Sequence, residues 1–346
     1  TERYAKNVSK ALEWLVDQVA PGGELRDGGR MYDQAMGTYA LAEACMATGD
    51  EILKVPLQSA VDWLVRNQIK ATGGWRYYPV PDPEKNKGGD LSVSGWVIAA
   101  LVSAKNAGVN VPDEVFKMAG GYVVACSSGA GRFGYQGGYS LSMTGAGMFS
   151  LQLLGGEIVG PLVADSGFNG EGGGGEENDN VHYERLVGES AAILMNENLP
   201  DYSQILRMDW PYYYWYYATF AMRMYGGESW LKWKNRVHNI LIPMQVPDGS
   251  GDSGSWTPDS KKGQETGRIV TTAWVVLTLM APDRKPVNPE TPNPNEPIGP
   301  KPPNAPIDPK PPNKPVGPKP PGGAPETVPT PPAPGLGIEG GVGVGK

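Results

Sequence analysis

Helix-length segments of two kinds alternate along this chain of 346 residues. One kind is apolar on a single face, the other almost all round. Ala5–Val19 is of the first kind, with Val8, Leu12, Leu15, Val16 and Val19 at helical spacing. Tyr32–Thr48 is of the second. Val55–Gln68 and Leu91–Ala107 repeat the pair, as do Asp113–Cys126 and Tyr139–Leu154. A one-faced helix lies at a surface with its stripe inward, and an all-round apolar helix is enclosed on every side. Breaks at Pro21-Gly22-Gly23, Gly49, Gly73-Gly74, Gly108, Gly131 and Gly155-Gly156 separate the segments, and glycine ends helices by supplying left-handed backbone cheaply.

The stretch Asp209–Trp256 is the fullest copy of this plan. Asp209 is the expected N-cap, and Pro211 sits in the first turn, where its missing N–H costs nothing. Tyr212–Tyr217 are aromatic without interruption, and Gly226-Gly227 ends the helix. Glu228–Gln245 then carries a stripe of Trp230, Trp233, Val237, Ile240, Leu241 and Met244, with Lys232, Lys234, Asn235 and Arg236 between. The preceding unit is interrupted by the Gly-rich acidic stretch Asp165–Asn180, after which Tyr183–Asn196 resumes as a helix; Arg268–Met280 is the final apolar segment. About ten helices in five hairpins predict an all-α chain. Its expected architecture is an α/α toroid, a double ring with the apolar helices inside and the amphipathic ones laid against them. An open solenoid of pairs is the alternative, and closure would remove the apolar ends that a solenoid exposes.

Gln68-x-x-x-x-Gly73-Gly74-Trp75 and Gln245 with Gly254-Ser255-Trp256 resemble the Gln–Trp turns of the prenyltransferase and squalene/hopene cyclase repeat. The strings YYYWYY, GGESWLKW, GSWTP and GRIVTTA are similar to bacterial members of that superfamily, of the kind abundant in planctomycetes. The resemblance covers roughly residues 5–281 and implies the toroid. It does not imply the chemistry. The Asp-x-Asp-Asp acid of the cyclases and the Asp-Asp-x-x-Asp magnesium motif both need an Asp-Asp pair, and the chain has none. Cys45 and Cys126 lack the Asp two positions earlier that zinc prenyltransferases use, and the Cys-Gly-Glu-Gln of thioester domains is missing. Two histidines, His182 and His238, exclude a His-rich metal site, and Gly-x-Ser-x-Gly does not occur. His238 reads as a surface or packing residue.

The net charge is −7; residues 283–346 hold seven Lys and Arg against six Asp and Glu, which leaves −8 on the first 282. That balance argues against nucleic acid, which needs clustered cations. No apolar run of about 18 residues predicts a membrane span. The start at Thr1 fits an exported protein whose signal peptide has been removed, hence an extracellular, cell-surface or periplasmic location. The two cysteines read as buried thiols.

Two candidate sites follow from residue type. The rings of Tyr213, Tyr214, Trp215 and Tyr217 could hold a cation or carbocation on their faces, although inner-ring packing explains them as well. A terpenoid site there would need a converging carboxylate such as Asp33, Asp90 or Asp209. Asp248, Ser250, Asp252 and Asp259 stand at positions 1, 3, 5 and 12 of a calcium loop. Its sixth position is Ser253 rather than Gly and its twelfth is Asp rather than Glu, so ordinary turn chemistry competes. No other cofactor is expected.

Residues 283–334 form a Pro-rich arm. Three nine-residue copies start at Pro297, Pro306 and Pro315, with Pro at every third position from Pro297 to Pro321. Polyproline II has three residues per turn and rises ~3.1 Å per residue, so each copy spans about 28 Å and repeats one face. A second edge carries Ile298, Lys301, Ile307, Lys310, Val316 and Lys319. In residues 335–346, Leu336, Ile338, Val342 and Val344 would share one face of a strand that could add to a partner's sheet edge. The expected function is therefore a non-catalytic, exported binding or structural module. Its arm would join it to other subunits, as a homo-oligomer and even a filament, or to the envelope. A terpenoid- or lipid-binding or cyclase-like enzyme using the aromatic inner ring is the alternative.

Overall fold

Each of the alternating segments is helical. The computed structural model of the chain describes residues 2–26, 29–79, 88–128, 130–135, 138–156, 158–159, 162, 179–196, 198–260 and 262–283. Contacts divide the chain into two units, Thr1–Gly299 and Pro300–Lys346, and every described residue belongs to the first. The proline arm, the terminal segment and most of the acidic insertion lie outside the described residues, and with them every arm residue named above.

The described chain is all-α, with eleven helices and one two-residue hairpin, β1 (Gly134–Tyr135) with β2 (Gly138–Tyr139). The helices are α1 (Glu2–Gln18), α2 (Met31–Thr48), α3 (Lys54–Arg66), α4 (Leu91–Asn106), α5 (Asp113–Ala125) and α6 (Leu141–Leu154). They continue with α7 (Asp179–Met195), α8 (Tyr202–Arg207), α9 (Pro211–Tyr225), α10 (Gly227–Leu241) and α11 (Gly263–Met280). Thirteen of sixteen residues of α4 and thirteen of fifteen of α9 are buried, against four of fifteen in α10, which separates an inner layer from an outer one. Consecutive inner helices α2, α4, α6, α9 and α11 pack each on the next. The outer helices α3, α5, α7 and α10 each lie across two of them, and α1 lies on α2.

Several details depart from the sequence reading. Asp209 does not cap α9: Trp210 holds that position, with no side-chain cap. A residue before proline is barred from the helical region, so the helix begins at Pro211 and Asp209 falls one residue too early. α11 starts at Gly263 and bends at Gly267 (φ 75°, ψ 172°), so the apolar run from Arg268 is its second piece. It is also less enclosed than its composition implies. Ile269, Val270, Val276 and Met280 are exposed, because α11 ends the row of inner helices, with α9 as its inner neighbour and α10 and the turn at Trp256 against it. Of the two free thiols, Cys45 is buried but Cys126, at the end of α5, is half-buried.

The turns between layers share one geometry four times over. A glycine with positive φ (Gly23, Gly73, Gly131, Gly254) precedes by two a buried side chain, Leu25, Trp75, Phe133 or Trp256. The backbone N–H of that second residue donates to a side chain near the start of the following inner helix. The acceptors are Gln34 Oε1 (2.9 Å), Ser94 Oγ (2.9 Å), Thr144 Oγ1 (3.3 Å) and Thr272 Oγ1 (3.1 Å). In the two tryptophan turns the indole N–H also donates to the last turn of the preceding outer helix, Trp75 to Leu64 O (2.8 Å) and Trp256 to Leu241 O (2.7 Å). Gln68 and Gln245 close these turns on Gly73 O and Gly254 O, each at 2.8 Å.

The first three turns are tucked under the next outer helix. A Cβ on Gly23 would lie 1.8 Å from Ser59 O of α3, one on Gly73 2.0 Å from Met118 O of α5, and one on Gly131 2.5 Å from Ser190 N of α7. The last turn has no such cover, and a Cβ on Gly254 meets only Gln245 Nε2 at 3.8 Å. The pair Gly73→Ala and Gly254→Ala therefore separates backbone strain from crowding. Both residues hold nearly the same φ, 83° and 79°. Gly254→Ala should cost about 1–2 kcal/mol for left-handed backbone alone, and Gly73→Ala a further ~1–3 kcal/mol for the clash. Urea melts of the two variants check this; equal losses would mean that the turn is not held beneath α5.

Candidate functional site

The aromatic run of α9 sits at the centre of the inner layer. Trp96 of α4 stacks on Tyr216 (centroids 5.1 Å, 14°) and meets the edge of Tyr217 at 5.6 Å. Phe149 of α6 lies 6.0 Å from Tyr217 and 5.7 Å from Phe220, and Tyr39 of α2 lies 6.5 Å from Trp96. Trp274 of α11 stands edge-on to Tyr213 at 5.7 Å. All five inner helices thus contribute rings to one block.

The four candidate ligand residues face two different directions. Tyr213 and Tyr217, one helical turn apart, face the block. Tyr214 and Trp215 point the other way, toward Trp233 of α10 (6.0 Å from Tyr214) and the segment that carries α8. All four are buried. Their polar atoms mostly reach fold-determined acceptors: Tyr213 Oη donates to Ser92 O (3.2 Å), Tyr214 Oη to Asn198 O (2.6 Å) and Trp215 Nε1 to Gln204 Oε1 (2.7 Å).

A second group lies where the amino-terminal ends of α2, α4 and α9 converge. Asp90 caps α4. Its Oδ1 accepts from Ser92 N (2.9 Å), Ser92 Oγ (2.5 Å) and Val93 N (3.4 Å). Tyr32 Oη donates to Ser92 Oγ at 2.7 Å, which makes a relay from Tyr32 through Ser92 to the carboxylate. The Tyr32 and Tyr77 rings are 5.4 Å apart, and the Tyr77 and Tyr135 hydroxyls are 3.3 Å apart. Tyr122 is wedged by glycines: a Cβ on Gly89 would come within 2.4 Å of its ring, and one on Gly74 within 2.8 Å. Asp90 is 1% exposed, whereas Tyr135 is 38% exposed and forms a rim. Of the other carboxylates considered, Asp33 pairs with Arg30 at the surface (3.1 Å) and Asp209 is exposed.

Burial raises the pKa of Tyr32, and the neighbouring Tyr77 and Asp90 add to it against the opposing Ser92 hydrogen bond. Burial, then Tyr77 and Asp90, raise Tyr135. Burial, then Cys126 and Asp90, raise Tyr122. These phenols therefore stay protonated at neutral pH. Sequence reasoning named Asp90 but missed its tyrosines. A signal was available: Tyr77 follows Trp75 by two residues and Tyr135 follows Phe133 by two, so they occupy equivalent positions of consecutive turns.

Of the calcium-loop residues, Asp248, Ser250 and Asp252 lie in the exposed turn before Trp256 and Asp259 follows it. Asp252 Oδ2 pairs with Arg268 Nη2 at 3.2 Å, Asp252 N donates to Ser250 Oγ at 3.3 Å, and Thr257 Oγ1 donates to Asp259. Asp248 is exposed. Among the described residues no group of three or more His, Cys, Asp or Glu side chains is arranged to hold a metal ion. His238 is half-buried, and desolvation followed by the Lys234 charge lowers its pKa.

The buried tyrosines make stability pH-dependent on the alkaline side. Burial is the main cause that raises Tyr213, Tyr214 and Tyr217, and it pushes Tyr183 up to about 12. Above a pH of about 10 the unfolded chain sheds phenol protons that the folded chain keeps, so stability is full below that pH and falls as pH rises. Each fully buried tyrosine contributes a slope of about 1.4 kcal/mol per pH unit. Phenolate absorbance of these rings should rise together with loss of helical circular dichroism. Titration of every tyrosine near pH 10 with the helices intact would contradict the burial.

No protein-family model, no curated protein and no solved structure matches this chain.

Proposed function

We propose that this chain is a non-catalytic, exported α/α-toroid module of the prenyltransferase-like repeat type. Its Pro-rich arm, residues 283–334, and apolar terminal segment, residues 335–346, join it to other protein subunits. The products are homo-oligomers and, by repetition of one contact, polymers or filaments. The observation that carries the non-catalytic reading is the packed centre. Where a terpenoid would need space beside Tyr213–Tyr217 lie the rings of Trp96, Phe149 and Trp274. Ring closure draws support from curvature: α4 and α9 touch across α6 through Tyr213 with Ser92 and through Trp96 with Tyr216. The seam of the ring then falls at the exposed side of α11.

The arm reading rests on the nine-residue register. A spacer needs extension only, whereas three copies present Ile298, Ile307 and Val316 in equivalent places beside Lys301, Lys310 and Lys319. A polyproline II segment is a preformed, low-entropy ligand for aromatic-lined grooves. Cutting the chain after residue 282 should leave a helical monomer of unchanged melting temperature and abolish assembly, as read by light scattering on a sizing column. In the full chain, Asp in place of Ile298, Ile307 and Val316 together should weaken assembly without affecting melting. An oligomeric state unchanged by both alterations would defeat the assignment of assembly to the arm.

A further inference from the structure

Asp90 is a buried carboxyl group with half of its accepting capacity unused. It is 1% exposed, and Oδ1 already takes three donors, while Oδ2 has no hydrogen-bond partner among the described residues. Capping α4 requires one oxygen, which Asn or Ser would supply as well. The second oxygen and the charge are surplus to that task. An unsatisfied buried acceptor costs free energy, and a charged one costs more. Among the described residues no Lys, Arg or His forms an ion pair with it. Of the phenols beside it, Tyr32 donates to Ser92, the Tyr77 and Tyr135 hydroxyls lie 3.3 Å apart, and Tyr135, whose pKa contact with Asp90 helps to raise, makes no hydrogen bond of good geometry to Oδ2.

We propose that Asp90, with the hydroxyl oxygens of Tyr77 and Tyr135 and the ring faces of Tyr32 and Tyr77, binds a primary alkylammonium group. The ammonium has three N–H donors. One goes to Asp90 Oδ2 and the others to phenol oxygens, which keep free lone pairs while they remain protonated. The positive charge sits against tyrosine faces, an attraction that strengthens when water is excluded, and the alkyl stem leaves past the exposed Tyr135. A divalent metal ion fits poorly, because it wants several carboxylate or carbonyl oxygens and the group has one carboxylate. A quaternary ammonium fits poorly for a different reason: it has no N–H for Oδ2.

The test uses the full chain and n-butylammonium chloride, with tetramethylammonium chloride at equal ionic strength as the control. Butylammonium should quench or shift the tyrosine and tryptophan fluorescence saturably and raise the melting temperature above the control. Asp90→Asn keeps the cap and removes the charge. It should fold and melt normally without ligand yet bind butylammonium about tenfold or more weakly, the loss of a charge-assisted hydrogen bond. Tyr135→Phe, at the rim, should weaken binding by a smaller factor and leave the fold intact. Undiminished binding by Asp90→Asn would overturn the proposal. So would equal binding of tetramethylammonium, or an absence of saturable binding in the wild-type chain.

Discussion

The fold depends on a single hydrogen-bonded turn that does three things at once. The last carbonyls of an α-helix have no partner within the helix, and the indole N–H of Trp75 or Trp256 supplies one at Leu64 or Leu241. The same ring fills core volume, so the outer helix cannot detach without opening a cavity; removing a buried Trp typically costs about 3–5 kcal/mol. The backbone N–H of the same residue anchors to the start of the next inner helix. One residue thereby fixes where the outer helix ends, where the inner helix begins and how far apart the two lie. The positive-φ glycine two residues earlier is the geometric condition, and in the first three turns the lack of a Cβ also lets the turn pass beneath the following outer helix.

Variation among the turns shows which parts of this device are indispensable. Leu25 and Phe133 have no indole N–H, yet they keep the positive-φ glycine and the bond into the next inner helix. The glycine carbonyl that Gln68 and Gln245 hold in the tryptophan turns is held by another side chain here. Gln34 Nε2 reaches back to Gly23 O at 2.8 Å, and Ser190 Oγ of α7 reaches Gly131 O at 3.0 Å. Before α9 the turn gives way to α8, whose capping-box Gln204 accepts from Trp215. The constraint that survives every replacement is the anchoring of the inner helix.

The layer order was legible because burial leaves a periodic trace: α4 and α9 are apolar all round, α3 and α10 on a stripe. The tryptophan turns were legible because Gln, Gly and Trp recur at fixed offsets. The equivalence of the Leu25 and Phe133 turns was not, since their defining bonds come from Gln34 and Thr144, which do not stand out in sequence. The exposure of α11 was hidden for a related reason. Composition reports how apolar a helix is, but only position in the row determines how many neighbours cover it. Tyr213, Tyr214, Trp215 and Tyr217 are divided between two faces because contiguity in sequence is dispersion on a helix: steps of one or two residues turn a side chain away, and a step of four returns it.

Tyrosine hydroxyls divide this core into a fixed and an adjustable part. Tyr212, Tyr213 and Tyr214 donate to the backbone carbonyls of Thr257, Ser92 and Asn198, which move only if the fold moves. Their rings are held at both ends, and they serve packing. Tyr32 donates to a serine hydroxyl, and Tyr77 and Tyr135 hold each other. Side-chain oxygens can exchange partners by rotation about one or two bonds, without disturbing a helix. Exchange of that kind needs an acceptor or donor that is worth reaching, and Asp90, which acts on Tyr32 and Tyr135 as well as on the fixed Tyr213, supplies one. The rigid half of the aromatic core therefore sets the spacing of the helices, and the freedom to reorganise around a charge is confined to the end where α2, α4 and α9 begin.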